Sequence, residues 1–389
     1  MGSAMIPIDN SGVLRAALEL IVAGGVTTAS LWLLNPVAHR FDLLDRPQGR
    51  KDHVAPTPYT GGLAMLIGIV VTFGFISRWG PLFCYFVAAA TMLVIIGALD
   101  DIYDLRWWWR VTAQCAAVLL LSFSGVSIEH VGQIVGLHTT GMGSLAIPFT
   151  MFATVGVINA INMSDGVDGL AGGIVLASLC MLEAAAIYSG NFGLGERLLI
   201  FIGVVLGFLV MNMRHPWQPR AKVFMGNAGS ALLGFTIAWV SFRLTQNPVH
   251  PVTPILAPWL VATPVIDCVV LMIRRVSQGH SPFSADRGHM HHLMLDAGFR
   301  PGEVTVLMVA VNLLFGLFAG VALLLKVPQL AMVILFTCIC IAYFCLSWRR
   351  ERAVAAFAGL RSMLLRVGFG PKSDRSQSVR LSKGPGKAD

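Results

Sequence analysis

The stretch Asn159-Ala-Ile-Asn162-Met-Ser-Asp165-Gly-Val-Asp168-Gly-Leu170 decides how this chain is read. An apolar run from Leu145 to Ile161 ends in it, and a second apolar run begins at Leu170. Between them stand two carboxylates, two amides and the glycines at 166 and 169. Ionisable groups at the mouth of a membrane segment are costly to keep there, so they read as functional groups. A polar loop that merely joins two helices is the competing explanation. It loses ground because other polar clusters fall on the same side of the apolar runs.

Working outward, the 389 residues are 56% apolar and 12% charged, with mean hydropathy +0.72. Soluble domains carry about 25% charged residues, so the expected class is all-α, a polytopic integral membrane protein. About eleven spans of bilayer length are expected. They are Gly12–Leu34, Gly61–Ile76, Leu82–Leu99, Val111–Val126, Leu145–Ile161, Leu170–Ile187, Leu198–Met213, Ser230–Leu244, Pro254–Ile273, Val304–Leu325 and Gln329–Leu346. Lys and Arg crowd the loops on one side: Arg40, Arg46, Arg50 and Lys51; Arg106 and Arg110; Arg214, Arg220 and Lys222; Arg274, Arg275, Arg287 and Arg300; and the tail from Arg349. Only Arg15, Arg78, Arg197, Arg243 and Lys326 fall on the other side. The positive-inside rule then puts the N-terminus in the periplasm and the C-terminus in the cytoplasm.

Residues 1–11 read as a cloning remnant (Met1-Gly-Ser-Ala, before Met5) and an outer N-terminus, 12–347 as the membrane domain, and 348–389 as a basic tail with a disordered end. Much of the net charge of +8 lies in that tail and suits anionic membrane lipids. No binding module for nucleic acid accompanies it. The seven cysteines lie in or beside apolar runs and suggest neither a disulfide framework nor a zinc site.

Four further clusters share the basic side. Lys51 and His53, ahead of Gly61-Gly62, suit a phosphate. Asp100 and Asp101 end the third span, with Asp104 beyond; on a continuing helix Asp104 shares a face with either. Adjacent carboxylates need a cation or a proton between them, and magnesium takes one or two carboxylates with substrate oxygens. One of the pair could equally act as a base or orient an acceptor phosphate. Lys222-Val-Phe-Met-Gly226-Asn227 opens another helix, where an anion could sit. Arg287, His289, His291 and His292 fit a pyrophosphate clamp better than zinc, for which no i,i+4 histidine pair or nearby thiolate exists. Asp165 and Asp168 share a face if the next helix starts early, and Asp267 inside the ninth span is either a buried structural acid or a support beneath the site.

Taken together, these motifs resemble the polyprenyl-phosphate N-acetylhexosamine-1-phosphate transferases. The matching residues are Arg50-Lys51-x-His53 with Gly61-Gly62; Gly97-Ala-Leu-Asp100-Asp101; Asn159 through Leu170; Lys222 through Gly226; and Ser281-Pro-Phe-Ser-x-Asp286-Arg287-x-His289-x-His291-His292. The resemblance implies transfer of GlcNAc 1-phosphate from UDP-GlcNAc to undecaprenyl phosphate, with release of UMP, at the cytoplasmic face of the bacterial inner membrane. That step initiates O-antigen or cell-envelope polysaccharide synthesis. The resemblance also implies Mg2+, or Mn2+, and a possible homodimer. Asp100, Asp101, Asp165, Asp168, His289 and His291 would be catalytic. Lys51, His53, Arg110, Asn162, Lys222, Arg287 and His292 would bind substrate, and Asp100, Asp101, Asn162 and Asn227 would hold metal. UDP-FucNAc, UDP-QuiNAc and UDP-MurNAc-pentapeptide stand as alternative donors.

One residue departs from the pattern. The family carries Asp after Phe-Met-Gly, and this chain has Asn227. Removing that charge, by engineering or by natural variation, predicts weaker metal binding and slow turnover. A transporter is the competing class, opposed by the absence of repeats and of a midplane polar site. An inactive scaffold is the third, and Asn227 alone favours it.

Overall fold

A computed structural model describes residues 10–41, 43–45, 56–76, 80–133, 139–249, 252–282 and 287–368. It is a helical bundle, and each of the eleven expected spans contains helix. The long helices are α1 (Asn10–Arg40), α2 (Gly61–Ile76), α3 (Pro81–Tyr103), α4 (Trp107–Ser122), α5 (Ala146–Ser164), α6 (Leu170–Tyr188), α7 (Phe192–Asn212) and α8 (Gly226–Thr245). The ninth expected span is broken at Val261 into α9 (Leu256–Leu260) and α10 (Ala262–Ser277). Then come α11 (Met290–Asp296), α12 (Pro301–Leu324), α13 (Gln329–Ser347) and α14 (Arg350–Val367). Among the described residues, eight helices are long and apolar enough to cross a bilayer. The seven cysteines are free.

The hub of the bundle is α8, packed against α2, α3, α5 and α6. It is buried along nearly its whole length, with Trp239 tilted against Phe86 of α3 at 4.6 Å and Phe235 stacked on it at 5.5 Å. Small residues let backbones meet elsewhere too. A Cβ on Gly207 of α7 would stand 2.4 Å from the Gly24 carbonyl of α1, the close approach that small residues permit between helices in lipid. By contrast α12 and α13 present Leu314, Leu317, Ile334 and Ile341 outward, a lipid-facing pattern.

Helix alternation brings the connections α1–α2, α3–α4, α5–α6, α7–α8 and α10–α12 to one end of the bundle. Two short strands, β1 (Leu44–Asp45) and β2 (Thr57–Pro58), pair antiparallel at the base of the first of these. The loop they close holds Lys51 and His53, which lie outside the described residues. The Phe224–Met225 segment runs alongside. Phe224 N donates to the Pro58 carbonyl at 2.8 Å, and Gly61 N and Gly62 N donate to the carbonyls of Phe224 and Met225. The opposite end is tied separately, by Gln246 to the backbone of Glu129 and His130.

The seat of α8 depends on glycines. A Cβ on Gly97 would lie 2.5 Å from the Cα and N of Ala228, and one on Gly62 would lie 2.4 Å from Gly229 N. Both neighbours are backbone and cannot rotate away. Gly97→Ala therefore pushes α8 off α3, at an expected cost of about 1–3 kcal/mol. Thermal unfolding of the purified variant in detergent checks this; an unchanged Tm would mean that α8 is free to shift.

Candidate active site

The third span does not continue through its acids. It stops at Tyr103, and Asp104 caps it in the left-handed conformation (φ 49°), exposed to solvent. Asp104 therefore shares no helical face with Asp100 or Asp101, contrary to the expectation above. The two adjacent acids point apart. Asp100 is buried and pairs with Arg110 of α4 at 3.3 Å. Asp101 turns to α8, accepting from Asn227 N at 2.9 Å and Ala228 N at 3.4 Å. The anion at the start of α8 is thus the chain's own carboxylate, which suits the partial positive charge of a helix N-terminus. Gly226 makes room for it: φ is +69°, and a Cβ there would stand 2.4 Å from the Asp101 carboxylate.

Asn227 joins α8 to α5. Asn162 Nδ2 donates to Asn227 Oδ1 and to Ser230 Oγ, each at 2.8 Å. A narrow cleft opens beside this amide pair, lined by Gly97, Arg110, Gln114, Asn159, Asn162 and Asn227. Asn159 donates to Gln114 at 3.1 Å, so a polar ladder runs along α4 and α5 toward the interior of the bundle.

The Asp165–Gly169 turn also separates its acids, because α6 begins only at Leu170 and the two never share a helical face. Asp168 is committed to structure. Its Oδ2 accepts from Arg214 Nε at 2.7 Å and from Ala221 N at 3.0 Å, pinning the α7–α8 connection. Asp165 has no hydrogen-bond donor among the described residues. Burial, with Asp101 and Asp168 nearby, pushes its carboxyl up to about 7. This half-buried acid has no cationic partner among the described residues. Together with Asp101 and the amide oxygens of Asn162 and Asn227, it forms an all-oxygen donor set of the kind a hard divalent ion takes.

The histidine segment closes the site from the other side. His291 lies against the Asp165–Asp168 turn: a Cβ on Gly166 would be 2.3 Å from His291 Nε2. Burial lowers His291 to about 3, so it is neutral and would donate a hydrogen bond rather than carry charge. Burial also lowers His292. The buried Nδ1 atoms of both rings have no partner among the described residues. His289 is held by Asp267, the intramembrane acid of α10: Nδ1 and Oδ2 are 3.0 Å apart. The other oxygen of Asp267 accepts from Met290 N and from the Tyr343 hydroxyl of α13, both at 2.9 Å. Arg287 is exposed, lies 4.0 Å from Asp296, and its charge reaches His292. Lys222 is exposed and forms no ion pair among the described residues.

Sequence reasoning missed Tyr59, Arg214, Ser230 and Tyr343. Tyr59 stands near Asp101 and Asp165, and its phenol is held above the usual range by burial and by Asp45. A lone phenol in the apolar span that holds Tyr343 was a usable signal. For Arg214 there was none beyond loop charge.

Comparison with known proteins fits this architecture. Residues 83–245 match glycosyl transferase family 4. Undecaprenyl-phosphate alpha-N-acetylglucosaminyl 1-phosphate transferase from Escherichia coli O157:H7 is 35% identical over 350 residues, 88% of this chain and 94% of the relative. The protein of the same name from Yersinia pestis is 32% identical over 350 residues, covering 89% and 96%. That from Haemophilus influenzae is 33% identical over 286 residues, covering 73% and 80%. This chain is a multi-pass membrane phosphoglycosyl transferase and belongs to the family those enzymes define.

Proposed function

We propose that the chain transfers GlcNAc 1-phosphate from UDP-GlcNAc to undecaprenyl phosphate at the cytoplasmic face of the inner membrane, initiating a surface polysaccharide. A phosphate oxygen of the lipid attacks the β-phosphorus, the bond to the bridging oxygen breaks, and UMP leaves. The observation that carries this reading is the unpartnered Asp165 beside Asp101 and the amides of Asn162 and Asn227, at the end of the bundle where Lys and Arg concentrate. Those four residues would hold Mg2+, which would supply charge neutralisation to the transferring phosphoryl group. Arg110, at the cleft, attracts the acceptor phosphate while Asp100 fixes its position. His291 offers a neutral donor across the Gly166 turn, and His289 is held in one orientation by Asp267. The same chemistry with another UDP-N-acetylhexosamine is the alternative. UMP release from a donor panel, with undecaprenyl phosphate and Mg2+, decides between them; no release with any donor would overturn the reading.

Asn227 bears on the rate. As an amide it accepts from Asn162 without adding charge. Asp there would add a third carboxylate beside Asp101 and Asp165 and raise the demand for a cation. Asn227→Asp is expected to increase the Mg2+-dependent rise in Tm and to speed turnover by roughly 10-fold or more. Equal Mg2+ titrations of both forms by thermal shift would remove position 227 from the metal site.

A further inference from the structure

The basic tail opens with a helix that composition alone did not reveal. α14 follows the end of α13 with only Trp348 and Arg349 between them. Its buried face carries Ala353, Phe357, Leu364 and Leu365, packed onto the core beside α11. Arg350 forms an ion pair with Asp296 at the end of α11. The histidine segment is therefore backed by α14.

Another face of α14 has no partner among the described residues and is not polar. Ala356, Leu360, Met363 and Val367 recur at helical spacing and are exposed, Met363 at 63% and Val367 at 78%. Beside that stripe Arg352 and Arg366 are exposed, about four helical turns apart. Trp348, 43% exposed, marks where the helix leaves the last apolar span. From residue 349 onward the chain carries ten Lys and Arg against Glu351, Asp374 and Asp389.

We propose that α14 lies on the membrane surface, its apolar stripe among the acyl-chain boundary and its arginines on anionic phosphate head groups, and that this docking braces α11 and its histidines. Charge complementarity selects the occupant: the apolar stripe is flanked by arginines and continued by a basic tail, which suits an anionic leaflet. Position supports it, because a helix begun within two residues of a bilayer span starts at the head-group level. The inference rests on the membrane placement proposed above and not on the reaction.

The test is hydrogen exchange of the full chain in three settings: nanodiscs of phosphatidylcholine, nanodiscs containing phosphatidylglycerol, and detergent. Each arginine near an anionic surface contributes roughly fivefold to partition. The α14 amides are expected to exchange slowest in phosphatidylglycerol discs. In Arg352→Gln/Arg366→Gln they should exchange on the order of 25-fold faster there, with Tm in detergent unchanged. Leu360→Ser/Met363→Ser should lose protection in both kinds of disc. Equal α14 exchange in all three settings, with α3 and α8 still protected, would overturn the docking while leaving the membrane placement intact. Protection that rises with protein concentration instead of with lipid charge would assign the face to a second copy, and also overturn it.

Discussion

Asp165→Asn gives a protein that melts higher without divalent cation and transfers sugar phosphate roughly 100-fold more slowly or worse. The two effects share one cause. Asp165 has no donor or cationic partner among the described residues and feels the charges of Asp101 and Asp168. Asn keeps the shape and removes an unpaired charge from a place where such charge is expensive, so the free protein gains about 1–3 kcal/mol. The same change removes a ligand whose charge is needed when phosphoryl oxygens and a cation fill the site. Thermal shift with and without Mg2+ reads both halves: Tm rises in EDTA, and the Mg2+-induced increment disappears. A lower Tm in EDTA would mean that Asp165 is already satisfied by a group of the protein.

Asp267→Asn is expected to lower kcat by roughly 100-fold with little change in KM for the donor. The carboxylate takes three donors from two elements, His289 Nδ1 and the Met290 amide at the start of α11 and the Tyr343 hydroxyl of α13. An amide in its place retains one acceptor oxygen and turns an NH2 toward the others. The ring of His289 then loses its fixed tautomer and orientation. Tyr343→Phe removes one bond of the three and should cost about 1 kcal/mol of stability, with activity kept within severalfold. Steady-state kinetics on both variants separate positioning from mere packing. A KM effect in Asp267→Asn with kcat intact would assign the acid to structure alone.

Much of this was legible in the sequence, because membrane helices announce themselves by apolar length and because ionisable residues are rare among them. Ten expected spans each coincide with one helix, several within a few residues. The ninth does not. Its break at Val261 follows a Pro-containing segment whose apolar run is uninterrupted, so hydropathy alone carries no mark of it. The clusters at one end were also legible, but not their division of labour. Asp100 and Asp101 are neighbours in sequence, and only the packing of α4 on one side and α8 on the other gives them different partners. The resemblance made Asp168 catalytic, and the sequence carried no sign that its carboxylate would also be bound by Arg214 and the Ala221 amide. The histidines looked like donors of a pyrophosphate clamp, with no sign of their charge. Burial, which no spacing rule reports, leaves His291 neutral.

The two acids at the end of α3 also meet their partners at very different times in the life of the chain. Asp100 is answered ten residues later, by Arg110, so the ribosome delivers its counter-ion almost at once. Asp101 must wait 126 residues for the backbone of Asn227. Until α8 has been synthesised and inserted, the helices that will surround it enclose a vacant slot with one unanswered carboxylate. A chain that ends before Asn227 lacks the backbone donors that answer Asp101. The later elements, α9 to α14 with the histidine segment, are then added to a bundle whose hub helix is already seated against Asp101.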